Sequence, residues 1–180
     1  MKIRLKTVTI TEKQWKRIRE ATFVNIHSIL EAVEKLIKDL EDDFLDFKSP
    51  VYVASALYTH AVEEFGKLHY LKNMKPKNGK ITIEYDYVFK GGKSHNNKFE
   101  LAISNLPENC IILQHGSYTK ASHSQTSHST ETFVSWQTRL SILNADIDEQ
   151  GEFIRPPLIN HFTLLEVVKT FRDFIQEYRY

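Results

Sequence analysis

The chain has 180 residues, 41% hydrophobic and 26% charged, the size and make-up of one ordinary globular domain. Its 24 basic and 23 acidic residues leave a net charge of +1, so bulk charge implies no polyanionic partner and leaves open only a local basic patch. The single cysteine, Cys110, excludes an internal disulfide framework and a cysteine-cluster zinc site. No apolar run approaches the ~20 residues that span a bilayer, and Met1 to Lys6 lack the apolar core of a signal peptide. The expectation is one cytoplasmic, reduced domain over residues 1–180, with no membrane partner.

Thr11-Glu12-Lys13-Gln14 is a Thr-x-x-Gln capping box that opens a first helix. Apolar residues then recur three and four apart from Trp15 through Ile26, Leu30 and Val33 to Leu40, and Glu41-Asp42-Asp43 with Ser49-Pro50 end the run. Ser49 suits the cap of a second helix, with Pro50 at its first position, reaching about Asn73. Val53, Ala56, Leu57, Ala61, Phe65, Leu68 and Leu71 form its broad apolar face. Small residues and Gly66 would let a neighbouring helix approach closely, so this is the expected central helix. Between turns at Pro76-Lys77-Asn78-Gly79 and Gly91-Gly92, the stretch from Ile81 to Tyr87 alternates with period two. It reads as an extended arm outside the core. A third helix is expected from Ser94 to Asn105. Ser117 to Ser129 reads as a poorly ordered polar loop. A helix is expected to resume near Glu131 and run through Trp136, Leu140 and Leu143. A tight turn follows at Asp146 to Gly151, and a last helix from Asn160 to Tyr178 carries Phe162, Leu165, Val168, Phe171, Phe174 and Ile175 on one side. The fold class expected is all-α, a bundle of about five helices with a short extended, β-like insertion.

The densest polar cluster falls on the helix expected to be most buried, at His60-Ala61-Val62-Glu63-Glu64-Phe65-Gly66-Lys67. Glu63 and Lys67 are four apart, an acid–base pair on one helix face. His60 and Glu64 are also four apart, at metal-ligand spacing. A solvated stripe with a routine salt bridge has the same pattern. Buried carboxylates and a lysine, however, need pairing or use. His95 and Lys98 share a face at the start of the next helix beside Asn96 and Asn97, a set suited to a phosphate-containing ligand. A metal site would draw a third ligand from His95 or a loop histidine, but the Glu-x-x-His motif of di-metal bundles is absent, and no metal or other cofactor is expected. Arg155-x5-His161 contains Pro156-Pro157 and cannot lie on one helix turn. His115, His123 and His128 match no metal spacing, and Cys110 reads as a small core residue.

Three segments together resemble the AbiV-type abortive infection proteins, which are placed beside the HEPN superfamily of helical bundles. They are Ala56 to Lys67, similar to that family's Glu-Glu-x-Gly-Lys helix; His95 to Phe99, similar to its His-x-x-Lys helix start; and Arg139 to Asp146, followed by Gly151 and Pro156. The resemblance implies a HEPN-like bundle, often dimeric, acting in phage defence by halting growth or translation. It implies partners among RNA, the translation machinery, a second copy of the chain, and a phage or host protein trigger. Many HEPN proteins are metal-independent ribonucleases. As an RNA-directed effector, the chain would use His95 as general acid or base, with Glu63 or Glu64 orienting the basic groups. Lys67, Lys98 and Arg139 would stabilise phosphate charge, with Asn96 beside them. A second reading is an interaction protein with a structural Glu/Lys/His network. A third is a metal-dependent enzyme. The first requires Glu63, Glu64 and Lys67 to meet His95 and Lys98 in space.

Overall fold

Thr11 ends one element and caps the next. Its backbone is extended (φ −74°, ψ 156°), its hydroxyl accepts from the Gln14 N–H at 3.2 Å, and Gln14 Oε1 accepts from the Thr11 N–H at 2.9 Å. The reciprocal pair is the capping box expected from sequence, and it starts α1 (Glu12–Ile37). The computed structural model describes residues 6–40, 50–90, 92–110, 112–114, 131–133, 146–147, 153–154 and 161–179. In chain order α1 is preceded by β1 (Thr7–Thr11) and followed by α2 (Pro50–Lys72), β2 (Lys80–Glu84), α3 (Tyr85–Val88) and α4 (Gly92–Ile103). A 3-10 turn (Glu108–Cys110), β3 (Ile112–Gln114), β4 (Glu131–Phe133), β5 (Asp146–Ile147), β6 (Phe153–Ile154), α5 (His161–Ile175) and a second 3-10 turn (Gln176–Tyr178) complete the described elements. The described residues are mostly helical, with five helices among them and three two-stranded sheets, β1 with β2, β3 with β4 and β5 with β6.

Trp15, Phe23, Ile26, Leu30, Val33 and Ile37 are buried along one face of α1, at the spacing the sequence shows. That face packs on α2, which also contacts α4 and α5. α2 is buried on nearly every side, as expected of the central helix. Its buried stripe runs through Ala54, Tyr58, Ala61, Phe65 and Leu68, while Val53, expected on that face, is 55% exposed. Gly66 is where α4 comes closest: a Cβ there would overlap the Lys98 carbonyl oxygen. From α5, Leu164, Val168, Phe171 and Ile175 close the core, and Phe162, expected on that face, is exposed. Cys110 is a core residue as expected. Its carbonyl accepts from the buried Tyr58 hydroxyl at 2.7 Å, and burial pushes its thiol up to about 12.

The arm differs from its expected form in two ways. β2 does pair antiparallel, with Val8 opposite Ile83 and Ile10 opposite Ile81, but its partner β1 was not foreseen. The arm also does not stand outside the core: Ile81 and Ile83 are buried with Trp15 and Leu71 in a second small cluster. Trp15 Nε1 donates to the Leu71 carbonyl at 2.9 Å and ties the cluster together. The alternation stops at Glu84, because Tyr85 to Val88 form the single turn α3. At the preceding turn Asn78 and Gly79 both have positive φ, which Asn-Gly accommodates at little cost. At Glu131–Phe133, where a helix was expected to resume, the chain forms β4, antiparallel to β3, with Ile112 opposite Phe133. Thr132 and Phe133 favour extended backbone, and the ladder pairs their polar groups. Asp146 and Ile147, expected to open a turn, form β5, which pairs antiparallel with β6, and residues 148–151 of that expected turn lie outside the described residues. Ser49, the Ser117–Ser129 loop, the run through Trp136 to Leu143, and Arg155 lie outside the described residues. Among the described residues no helix is long and apolar enough to cross a membrane.

Candidate functional site

Gly66 lets α4 lie against α2, and this contact brings the two polar motifs together. Glu63 faces the seam and is only 1% exposed. Its Oε1 accepts from His95 Nδ1 at 2.7 Å and also pairs with the Lys98 ammonium. His60, one helical turn before Glu63, places Nδ1 3.8 Å from the other carboxylate oxygen. That separation is longer than a hydrogen bond. One buried carboxylate thus has an imidazole on each side and an ammonium between the helices.

The charges follow from this arrangement. Burial alone would push the Glu63 carboxyl up. The contacts from His60, Lys98 and His95 outweigh burial and hold it far below the usual carboxylate range. Glu63 is therefore an anion throughout the physiological range, and the cations around it compensate its burial. Lys98 is 9% exposed at its side chain, so its charge is committed to Glu63. The His60 and His95 side chains are each 34% exposed, so each imidazole has one edge toward the carboxylate and part of its surface toward solvent. A carboxylate bonded to Nδ1 fixes the ring orientation, as an acid–base histidine requires.

Glu64 and Lys67 form a separate pair beside this group. Lys67 Nζ donates to Glu64 Oε2 at 2.6 Å, one helical turn apart. The pairing foreseen four residues apart, Glu63 with Lys67, is replaced because Glu63 turns into the seam toward Lys98. Lys67 also lies 5.7 Å from the centre of the Phe89 ring. Asn96 is exposed at the start of α4, whereas Asn97 donates to the Tyr87 carbonyl at 3.0 Å and anchors α3 to α4. Arg139 lies outside the described residues.

Of the expected site residues, Glu63, His95 and Lys98 meet directly, and Glu64 with Lys67 lie on the same helix as Glu63. His60 joins through Glu63, not through Glu64 as its metal-ligand spacing suggested. Its i, i+3 relation to Glu63 was the available signal. Among the described residues no three His, Cys, Asp or Glu side chains converge as a metal site needs. Where such an ion would approach Glu63, the Lys98 ammonium already stands. No family model, no curated protein and no solved structure matches the chain.

Proposed function

We propose that the chain is an abortive-infection effector of the AbiV, HEPN-like type that acts on RNA in the cytoplasm, as a dimer, by metal-independent cleavage. The observation that carries this reading is the 2.7 Å bond between the buried Glu63 carboxylate and Nδ1 of the part-exposed His95. Metal-independent cleavage of RNA needs two proton transfers. A base removes the ribose 2′-hydroxyl proton, O2′ attacks phosphorus, the bond from phosphorus to O5′ breaks, and an acid returns a proton to O5′. His95 and His60, on either side of Glu63, are the two groups suited to these transfers. Glu63 orients them, and Lys98 keeps Glu63 ionised in its buried position. Lys67, Asn96 and Arg139 are the candidates for contact with phosphate.

A second reading is supported by the pairing itself. Both carboxylates already hold a lysine, Glu63 with Lys98 and Glu64 with Lys67, as in a structural network inside a protein-interaction module. Expression of the wild type beside His95→Ala separates the two. The effector reading expects growth arrest and RNA loss with the wild type and neither with His95→Ala. Normal growth and intact RNA in both would overturn the ribonuclease reading.

A further inference from the structure

Between Gly66 and Lys93 the sequence holds seven lysines and two carboxylates, Glu84 and Asp86, a local net charge of +5 in a chain of net +1. This segment is the arm: the end of α2, the Asn-Gly turn, β2 and α3. Lys75, Lys77, Lys80, Lys90 and Lys93 are all exposed. Among the described residues no carboxylate pairs with any of them. Lys75, Lys77 and Lys80 crowd one end of β2. Lys90 and Lys93 lie beyond the other end, past α3. β2 itself, from Lys80 to Glu84, spans about 14 Å at ~3.4 Å per residue.

Along the chain between the two lysine groups fall Tyr85, Tyr87 and Phe89. Tyr85 and Phe89 are stacked with 10° between their planes and centres 5.6 Å apart. Tyr70 and Tyr87 are 5.6 Å apart and tilted. All four are only partly buried. Lysines flank the stack: Lys6 Nζ is 5.9 Å from the Tyr85 ring centre and Lys67 Nζ 5.7 Å from that of Phe89. Lys67 and the Asn97–Tyr87 bond join this surface to the His95 seam. Exposed lysines before and after a partly exposed aromatic cluster, none of them paired with a carboxylate among the described residues, match what single-stranded nucleic acid needs: cations for its phosphates and ring faces for unstacked bases. An anionic membrane would use the lysines but has no need of stacked rings.

We propose that the arm formed by β2 and α3 is a binding surface for single-stranded RNA, with the lysines contacting phosphate and Tyr85 and Phe89 receiving bases. The choice of RNA rests on the effector reading above; the surface itself does not depend on His95 chemistry. The test is fluorescence anisotropy of a labelled single-stranded RNA of mixed sequence. The same strand in a duplex and vesicles containing phosphatidylserine serve as competitors. The wild type should bind the single strand in preference to both, with affinity falling steeply as salt rises. The triple variant K75E/K77E/K80E should bind about tenfold more weakly or worse. Tyr85→Ala should lose about fivefold or more and Tyr85→Phe should not, because the ring does the work. Glu34→Gln, at the α1–α5 contact, should bind as the wild type. Circular dichroism checks that each variant is folded. Absence of RNA binding, unchanged binding by the folded triple variant, or preference for duplex or vesicles would each overturn the proposal. A wild type that arrests growth through His95 without binding RNA at the arm would overturn this surface and leave the effector reading. RNA binding at the arm without arrest would do the reverse.

Discussion

The α2–α4 seam and the arm that connects those helices are both rich in lysine and use it in opposite ways. On the seam Lys98 is 9% exposed and its ammonium lies on Glu63, which is 1% exposed. On the arm Lys75, Lys77 and Lys80 are exposed and have no carboxylate partner among the described residues. A charge removed from water must be paired, so the seam's charges hold each other and fix His95. A charge left in water needs no partner in the protein, so the arm's charges remain available to a ligand. The pair Glu34–Arg172, which joins α1 to α5 at 2.6 Å, lies between these extremes, at 32% and 29% exposure.

The largest effect should come from breaking the seam. Glu63→Gln keeps the shape but leaves Lys98 buried without its counter-charge, and should lower unfolding stability at pH 7 by about 3–5 kcal/mol in urea titration. The same variant should change the acid limb. The folded Glu63 carboxyl is held below its ordinary 4.5, so its stabilisation is complete above that value and is lost as pH falls below it. The wild type should therefore lose stability steeply on acidification below about 4.5, the unshifted value, and Glu63→Gln should give a flatter acid limb. Equal slopes would mean that Glu63 is not the anion described here.

Gly66→Ala comes next. Alanine gains about 1 kcal/mol in helix propensity, but its Cβ would overlap α4 backbone at Lys98, which cannot swing aside as a side chain can. A net loss of about 2 kcal/mol is expected, read as a lower urea midpoint. Glu34→Gln should cost less than about 1 kcal/mol, because its pair is part-exposed and screened. Lys77→Glu should change stability by no more than about 0.5 kcal/mol in either direction, while still counting against RNA binding. A large loss at Lys77 would show that the arm's lysines hold the fold, and the contrast with the seam would fail.

Much of this contrast was legible in the sequence, and the exceptions have local causes. Thr11 and Gln14 announced the start of α1, and Pro50 that of α2, because caps depend on neighbours within one turn. The meeting of Glu63 with His95 and Lys98 followed from two polar faces on consecutive helices and from Gly66 between them. The partner of Lys67 did not follow: three-residue and four-residue spacings both allow a pair, and tertiary packing turned Glu63 away and left Glu64. β1 was hidden because Thr7 to Thr11 is short and its last residue carries the capping signal. At Glu131–Phe133 the local pattern suggests a helix and the chain forms a strand, because its ladder partner, Ile112 to Gln114, lies far back in the chain and pairing is not visible in a local pattern. The basic character of the arm was hidden in a chain-wide net charge near zero.

The coupling between Glu63 and Lys98 tests most directly whether the seam's charges exist for one another. Urea unfolding of the wild type, Glu63→Gln, Lys98→Met and the double variant completes a double-mutant cycle. The buried pair predicts that the double variant is more stable than the sum of the two single losses implies, by about 1–3 kcal/mol. Single losses that simply add would contradict a coupled, buried charge pair holding His95 in place.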